Sequence, residues 1–325
     1  MDILEKAASH IYTQYGELEI YTTVIIGVVV LGWIFGAIAN KSIARTAFDR
    51  FRSPLEAQFA NPGSLGKESD SHFFIYSTGR SKCSGQMISL HLSPRNDFLS
   101  RFVISWFAPS WYSPDKVVLE IFEPEIDPCI SAFICRKYKA SSFTEALPEL
   151  KKFCKPFNGA LDGGPFSAFS PSSLTGFTYL SNSGGRAIGQ TVFGKSAAPV
   201  PVSLLKTLTS MFVSGESKSL KIELDAIPSS AEEWKDILDY SLAILLESLA
   251  SIKLSDTVRA EVETQRNADA QKAARDADLA RRKEDMQKQK EEQMKNLSAA
   301  EREKIEDKRR KKEQKRNLRT GRILL

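Results

Sequence analysis

The chain has 325 residues with 45 Lys plus Arg and 40 Asp plus Glu, a formal net charge of +5, 42% apolar residues and 26% charged residues. That composition excludes wholesale disorder. Four cysteines with no C-x-x-C pair exclude a disulfide scaffold, and with only three histidines beside them no structural zinc site has the right spacing.

Three unlike segments follow one another. Ile20 to Ala39, IYTTVIIGVVVLGWIFGAIA, is 20 residues without a charge. At 1.5 Å per residue such a helix covers about 30 Å, the thickness of a bilayer core. We expect residues 1–19 to be a short luminal N-terminus and residues 20–39 a transmembrane helix. A cleaved signal peptide fits less well. Asp2, Glu5, Glu17 and Glu19 against Lys6 make an acidic lead, whereas signal peptides open with bases and have a shorter apolar run. Lys41, Arg45, Arg50 and Arg52 follow the span against Asp49. Positive flanks stay on the cytosolic side, so the N-terminus is expected in the lumen and the C-terminus in the cytosol. Gly32 and Gly36 form a G-x-x-x-G, a spacing that lets another helix approach closely in lipid. We therefore expect these two glycines to pack against a membrane partner.

Residues 40–252 are expected to form a cytosolic α+β domain. Alternating apolar positions predict strands around Phe73–Ser77, Ile88–Leu92, Val117–Ile121, Cys129–Cys135 and Leu220–Leu224. Helical spacing appears at Ala44–Phe59, Asn96–Phe107, Ser142–Phe153, Val202–Phe212 and Ala231–Ile252, with Ser230 placed to start the last. Gly159–Gly194, rich in Gly, Ser and Pro, reads as long loops around short elements.

Inside this region Gly189 to Ser196, GQTVFGKS, matches the phosphate-binding G-x-x-x-x-G-K-[ST] pattern letter for letter. That chemistry needs a strand before the loop and a helix after it. The preceding SNSGGR is no strand, and Pro199 and Pro201 would break the helix, so the context argues against nucleotide binding, and a membrane-anchored NTPase using Gly189 to Ser196 stays only as a rival class. No triad, carboxylate pair or metal cluster can be tied together from the sequence. The expectation is a non-catalytic protein without cofactor or metal.

Residues 253–325 read as a helical arm. From Leu254 on there is no proline and one glycine, Gly321. Acid–base pairs at i,i+4 recur, as in Asp278–Arg282 and Glu284–Lys288, and a helix from Leu254 to Asn317 would be about 95 Å long. Leu279 and Met286 are seven apart but Gln293 and Ala300 come next, so no coiled-coil seam runs along it. Its tip is strongly basic: Lys304, Lys308, Arg309, Arg310, Lys311, Lys312, Lys315, Arg316, Arg319 and Arg322 against Glu306, Asp307 and Glu313 give 10 − 3 = +7. Such a tip seeks a polyanion. A stalk that holds it far from its own bilayer favours RNA over lipid. A membrane tether whose basic arm binds anionic lipid or another organelle's surface is the alternative reading.

Thr78 to Leu90, TGRSKCSGQMISL, with Arg95, Asp97 and Leu99 after it, follows small-Gly-Arg-x-x-Cys-x-Gly-x-x-Ile-x-Leu. On this patch, and on the order of span, basic flank and Lys/Arg/Glu-rich tail, the chain from about Glu17 onward resembles the calumin family. These are coiled-coil-domain-containing endoplasmic reticulum membrane proteins, subunits of the PAT complex. The resemblance implies a chaperone role within the membrane, shared with a small membrane partner, Asterix, at the ribosome-bound Sec translocon and acting on nascent multipass proteins. It also implies that the ten bases from Lys304 to Arg322 contact rRNA of the large subunit near the tunnel exit. Animal members carry a cleaved signal and a long acidic luminal segment; here 19 residues with four acids precede the span, and calcium binding is not carried over.

Overall fold

The computed structural model describes residues 2–97, 114–146, 148–157, 159, 161–168, 176–195 and 199–296. The chain forms two units, Met1–Glu263 and Thr264–Leu325.

The first unit opens with α1, Asp2–Gln58, an unbroken helix of 57 residues. It fuses the predicted span with the predicted helix after it. No glycine or proline stands between Asn40 and Ala44 to separate them, and the linking residues Lys41–Ile43 tolerate helix well. The apolar part is uncovered: Ile25, Ile26 and Phe35 are 62%, 62% and 65% exposed. A helix buried in a protein core would hide these side chains. By length and composition, this is the one helix among the described residues able to cross a membrane.

Nine antiparallel strands make one sheet in the order β1-β2-β3-β4-β9-β8-β5-β7-β6. They are β1 Leu65–Lys67, β2 His72–Thr78, β3 Gly85–His91, β4 Lys116–Phe122, β5 Ser131–Arg136, β6 Lys155–Pro156, β7 Phe177–Ser181, β8 Leu208–Ser214 and β9 Ser219–Leu224. One register row crosses seven of them: Ile75, Ile88, Leu119, Ile222, Met211, Ile134 and Tyr179. Every side chain in that row is buried. They share one core with Ala44, Ala47, Phe51 and Leu55 of α1 and with Trp234, Ile237 and Leu238 of a later helix. Phe51 meets Trp234 edge-on, ring centroids 4.1 Å apart.

Among the described residues the other face is covered on one side only. There α2 (Ala140–Ala146) and α3 (Pro148–Phe153) pack Phe143 and Leu150 with Phe133, Cys135 and Leu180. In β4 and β9 burial alternates, the signature of a sheet face left to solvent.

Several predicted elements change. The helix expected over Val202–Phe212 is α5, Val202–Thr207, followed by β8. The apolar spacing of this stretch serves both periods, and β8 fills the slot between β5 and β9. The expected loops over Gly159–Gly194 contain β7 and α4, Arg186–Thr191. Phe177–Ser181 is a run of good strand formers that the surrounding Gly and Ser hid. The helix expected over Ser142–Phe153 is described as α2 and α3 on either side of residue 147, which lies outside the described residues. All of the helix expected over Asn96–Phe107 beyond Asp97 lies outside the described residues.

The final layer runs as α6 (Ala231–Asp239), a π-helical turn (Tyr240–Leu246) and α7 (Glu247–Ser251). Ser230 caps α6 by accepting from the Glu233 amide, while Glu233 Oε2 accepts from the Ser229 amide at 2.7 Å. The last helix, α8, is Asp256–Asn296. Its residues from Thr264 on belong to the second unit.

Ile222→Ala, in the middle of the buried row, should cost about 2–5 kcal/mol in chemical denaturation of the detergent-solubilised protein. Val202→Ala, 64% exposed, should stay within about 0.5 kcal/mol. Equal effects would show that the row is not the core.

Candidate functional site: the two anchor points of the sheet domain

The first anchor lies where the apolar part of α1 ends. Asn40 is fully buried. Its Nδ2 donates to the carbonyls of Asp70 (3.0 Å) and Ser93 (3.2 Å), and its Oδ1 accepts from Arg95 Nη1 at 3.1 Å. Arg95 also grips Asp115 with two parallel bonds, Nη1–Oδ1 2.9 Å and Nη2–Oδ2 2.8 Å. The Ser93 amide donates to Asp115 Oδ1 at 2.8 Å. Burial works to raise the Asp115 pKa, but the Arg95 guanidinium and the Ser93 amide outweigh it and hold the carboxyl below its ordinary range. One helical turn earlier a Cβ on Gly36 would lie 2.1 Å from the Arg95 carbonyl oxygen. The close approach at Gly36 is thus made by the chain's own backbone. On the opposite side of the helix a Cβ on Gly27 would meet nothing within 4 Å.

The second anchor lies at the far end of the sheet. β4 begins beside Asp115 and runs seven residues, about 23 Å, before the chain turns toward Asp127. Asp127 Oδ2 accepts from Arg259 Nε (3.1 Å) and Nη2 (2.8 Å) in the first turn of α8. Val262 is buried one turn on. The first eight residues of α8 are fastened to the sheet domain. Beyond them Leu279 and Met286 are 54% and 53% exposed, so the described part of the arm has no apolar seam. The ten bases from Lys304 to Arg322 lie outside the described residues.

Between the anchors, the Thr78–Leu90 patch is a fastener. Gly79 takes a left-handed φ of +89° against Ala60. Arg80 donates to Gln58 at the end of α1, Gln58 donates to Asp239 of α6 at 2.6 Å, and Lys82 pairs with Glu247 of α7. Cys83 packs on the core and burial pushes its thiol up. These residues hold α1, the β2–β3 hairpin and the α6–α7 layer together. They carry no nucleophile with an activating base.

The Gly189–Ser196 string is part helix and part turn. The Gly189 and Val192 amides are spent on the Gly185 (3.2 Å) and Ile188 (2.8 Å) carbonyls. Phe193 is buried against Phe166 and Tyr179, 5.3 and 5.6 Å between ring centroids. Two of its amides are thus spent inside the helix and one of its side chains is core; Ser196 lies outside the described residues.

The solvent face of the sheet carries a groove of about 600 Å³, lined by Phe133, Phe143 and Phe212 together with Lys116, Lys221 and Glu223. Its charges are matched within the protein: Lys116 lies 3.9 Å from Glu223, and Lys221 stands opposite Glu120 across strands. His91 at its edge stacks on His72 at 4.1 Å, and burial, then His72, lowers its pKa. Among the described residues no three His, Cys, Asp or Glu side chains converge to hold a metal ion.

The family described as PAT complex subunit CCDC47 matches residues 17–316, and the chain belongs to that family. The match takes in the apolar segment, the sheet domain and the arm as far as Arg316. The zebrafish (Danio rerio) PAT complex subunit CCDC47 is 24% identical over 181 residues, which cover 51% of this chain and 37% of the zebrafish protein. The chain thus aligns with well under half the length of that relative.

The Asn40–Arg95–Asp115 cluster predicts a pH signature. A carboxyl whose folded pKa is depressed stabilises above its unfolded pKa, about 4, and loses that contribution as pH falls through the lower folded value. Asp115→Asn should therefore cost about 1–3 kcal/mol at pH 7 and flatten the stability profile below about pH 4. Chemical denaturation of both proteins from pH 3 to 7 checks this. An unchanged acid limb in Asp115→Asn would remove the cluster from the account.

Proposed function

We propose that this chain is a non-catalytic membrane protein of the endoplasmic reticulum that works in the biogenesis of multipass membrane proteins. In this reading α1 crosses the bilayer with its N-terminus in the lumen, the sheet domain and arm lie in the cytosol, and a small Asterix-like membrane protein joins the span to complete an intramembrane chaperone. The basic residues Lys304, Lys308, Arg309, Arg310, Lys311, Lys312, Lys315, Arg316, Arg319 and Arg322 contact rRNA of the large ribosomal subunit near the tunnel exit, beside the Sec translocon. The sequence expectation put Gly32 and Gly36 against the membrane partner. With Gly36 occupied by the Arg95 backbone, the open side at Gly27 is the better surface for it.

The observation that carries the reading is the family match over residues 17–316, which spans the apolar helix, the domain and most of the basic tip in one order. The physics of each part supports it. An uncovered apolar helix of this length needs lipid. A domain whose described polar clusters fasten helices rather than activate a nucleophile suits a binding role. A tip of net charge +7 needs a polyanion.

Ribosome co-sedimentation from detergent-solubilised membranes tests the reading, comparing full-length protein with a truncation after Glu303 across a salt series. Full-length protein should sediment at low salt. If the tip neutralises six or more phosphates, its affinity should fall by about 10³-fold or more between 50 and 200 mM salt. The truncation should stay in the supernatant. Equal sedimentation of both would move the contact off the tip, and sedimentation of neither would remove the ribosome from the proposal.

A further inference from the structure

Two of the chain's three histidines face each other across strands. His72 opens β2, His91 closes β3, and the two are register partners. The neighbouring Leu92 amide donates to the Ser71 carbonyl at 2.7 Å, so the ladder alternation puts His72 and His91 at a non-hydrogen-bonded position. Side chains come closest at such positions, and here the imidazole centroids lie 4.1 Å apart with the rings 19° from parallel.

The two nitrogens of His72 have different surroundings. Nδ1 lies 2.6 Å from Oε2 of Glu68, in the turn before β2, a separation that only a shared proton allows. The proton therefore sits on Nδ1 and the lone pair on Nε2. That Nε2 is buried and has no hydrogen-bond partner among the described residues. A carboxylate on one ring nitrogen and an unspent lone pair on the other is how proteins orient an imidazole that ligates a metal. His91, beside it, is exposed, and its ring can turn.

The donor set selects the ion. Hard cations such as magnesium and calcium take oxygen ligands, whereas imidazole nitrogen suits zinc, copper and nickel. Lys116 stands beside His91 in β4, its ammonium 3.9 Å from Glu223. That positive charge disfavours any ion held by charge alone.

We propose that His72 and His91 form a two-imidazole site for a late divalent transition metal such as zinc, held by His72 Nε2 and one ring nitrogen of His91. The His91 ring turns out of the stack to share the ion, and water fills the remaining positions. The site lies next to the first anchor. Two residues outward from the pair, the carbonyls of Asp70 and Ser93 receive the Asn40 amide. A bound ion thus staples the two strands that hold α1.

Hydrogen–deuterium exchange of the full-length protein, stripped of metal in lipid nanodiscs, tests the site with zinc and magnesium as probes. With free zinc at about ten times its dissociation constant, local opening at His72–Phe74 and Ser89–His91 should be suppressed about tenfold. Magnesium should change nothing. His91→Ala and His72→Gln should each abolish the zinc response while leaving exchange in β9 as it was, which shows that the variants fold. Glu68→Gln should weaken zinc about 10–100-fold, as loss of an orienting carboxylate does. No zinc response in the unaltered protein, a response that survives either histidine variant, or an equal response to magnesium would overturn the site and leave the stack as a packing contact.

Discussion

A buried amide side chain in the middle of a 57-residue helix ties the apolar segment to the sheet domain. Asn40 has no exposure, and its Nδ2 and Oδ1 are all spent on Asp70, Ser93 and Arg95. An amide buried without partners costs about 1–3 kcal/mol, so this position pulls two separate stretches of chain, at Asp70 and at Ser93–Arg95, onto one turn of helix. Arg95 in turn is fixed by a two-bond pair with Asp115, the residue before β4. The order of the sheet at this end therefore starts from contacts on α1. Because α1 is continuous, the domain has no hinge at the point where it leaves the apolar segment.

The rest of the fold carries that constraint to the opposite end. Phe51 and Leu55 continue α1 into the core against the buried row of the sheet, and Trp234 packs beside Phe51 in the same core. Gln58, Arg80, Asp239, Lys82 and Glu247 then join α1, the β2–β3 hairpin and the α6–α7 layer. Arg259 leaves from the far end through Asp127. The domain thus has one anchor on the apolar helix and one on the base of the arm, separated by the length of a seven-residue strand. In the proposed reading it is a rigid spacer between a bilayer and a ribosome, and its chemistry is that of packing and fastening.

Much of this was legible in the residues, and the failures have physical causes. Alternation in Val117–Ile121 and Leu220–Leu224 marked strands because one sheet face stays wet. Val202–Phe212 misled because its apolar spacing fits a helix, while the ladder on both sides of β8 decided for strand from Leu208 on. Phe177–Ser181 was lost in a region averaged as Gly- and Ser-rich. Gly36 announced a close approach, but the approaching backbone is 59 residues away in sequence, and nothing local names it. Asn40 gave no signal at all: a single asparagine after an apolar run looks like a boundary, and its three partners are non-local. The Thr78–Leu90 patch carries the family resemblance, and the contacts of its Arg80, Lys82 and Cys83 with α1, α7 and the core explain why those residues sit there.

Hydrogen–deuterium exchange of the full-length protein in lipid nanodiscs addresses the central claim most directly. If the helix and the sheet are one rigid body, the amides of residues 40–55 should exchange as slowly as those of the central strand β9, and Asn40→Ala should speed exchange through residues 37–47. Exchange at 40–47 orders of magnitude faster than in β9, and indifferent to Asn40→Ala, would mark a hinge there and contradict the account.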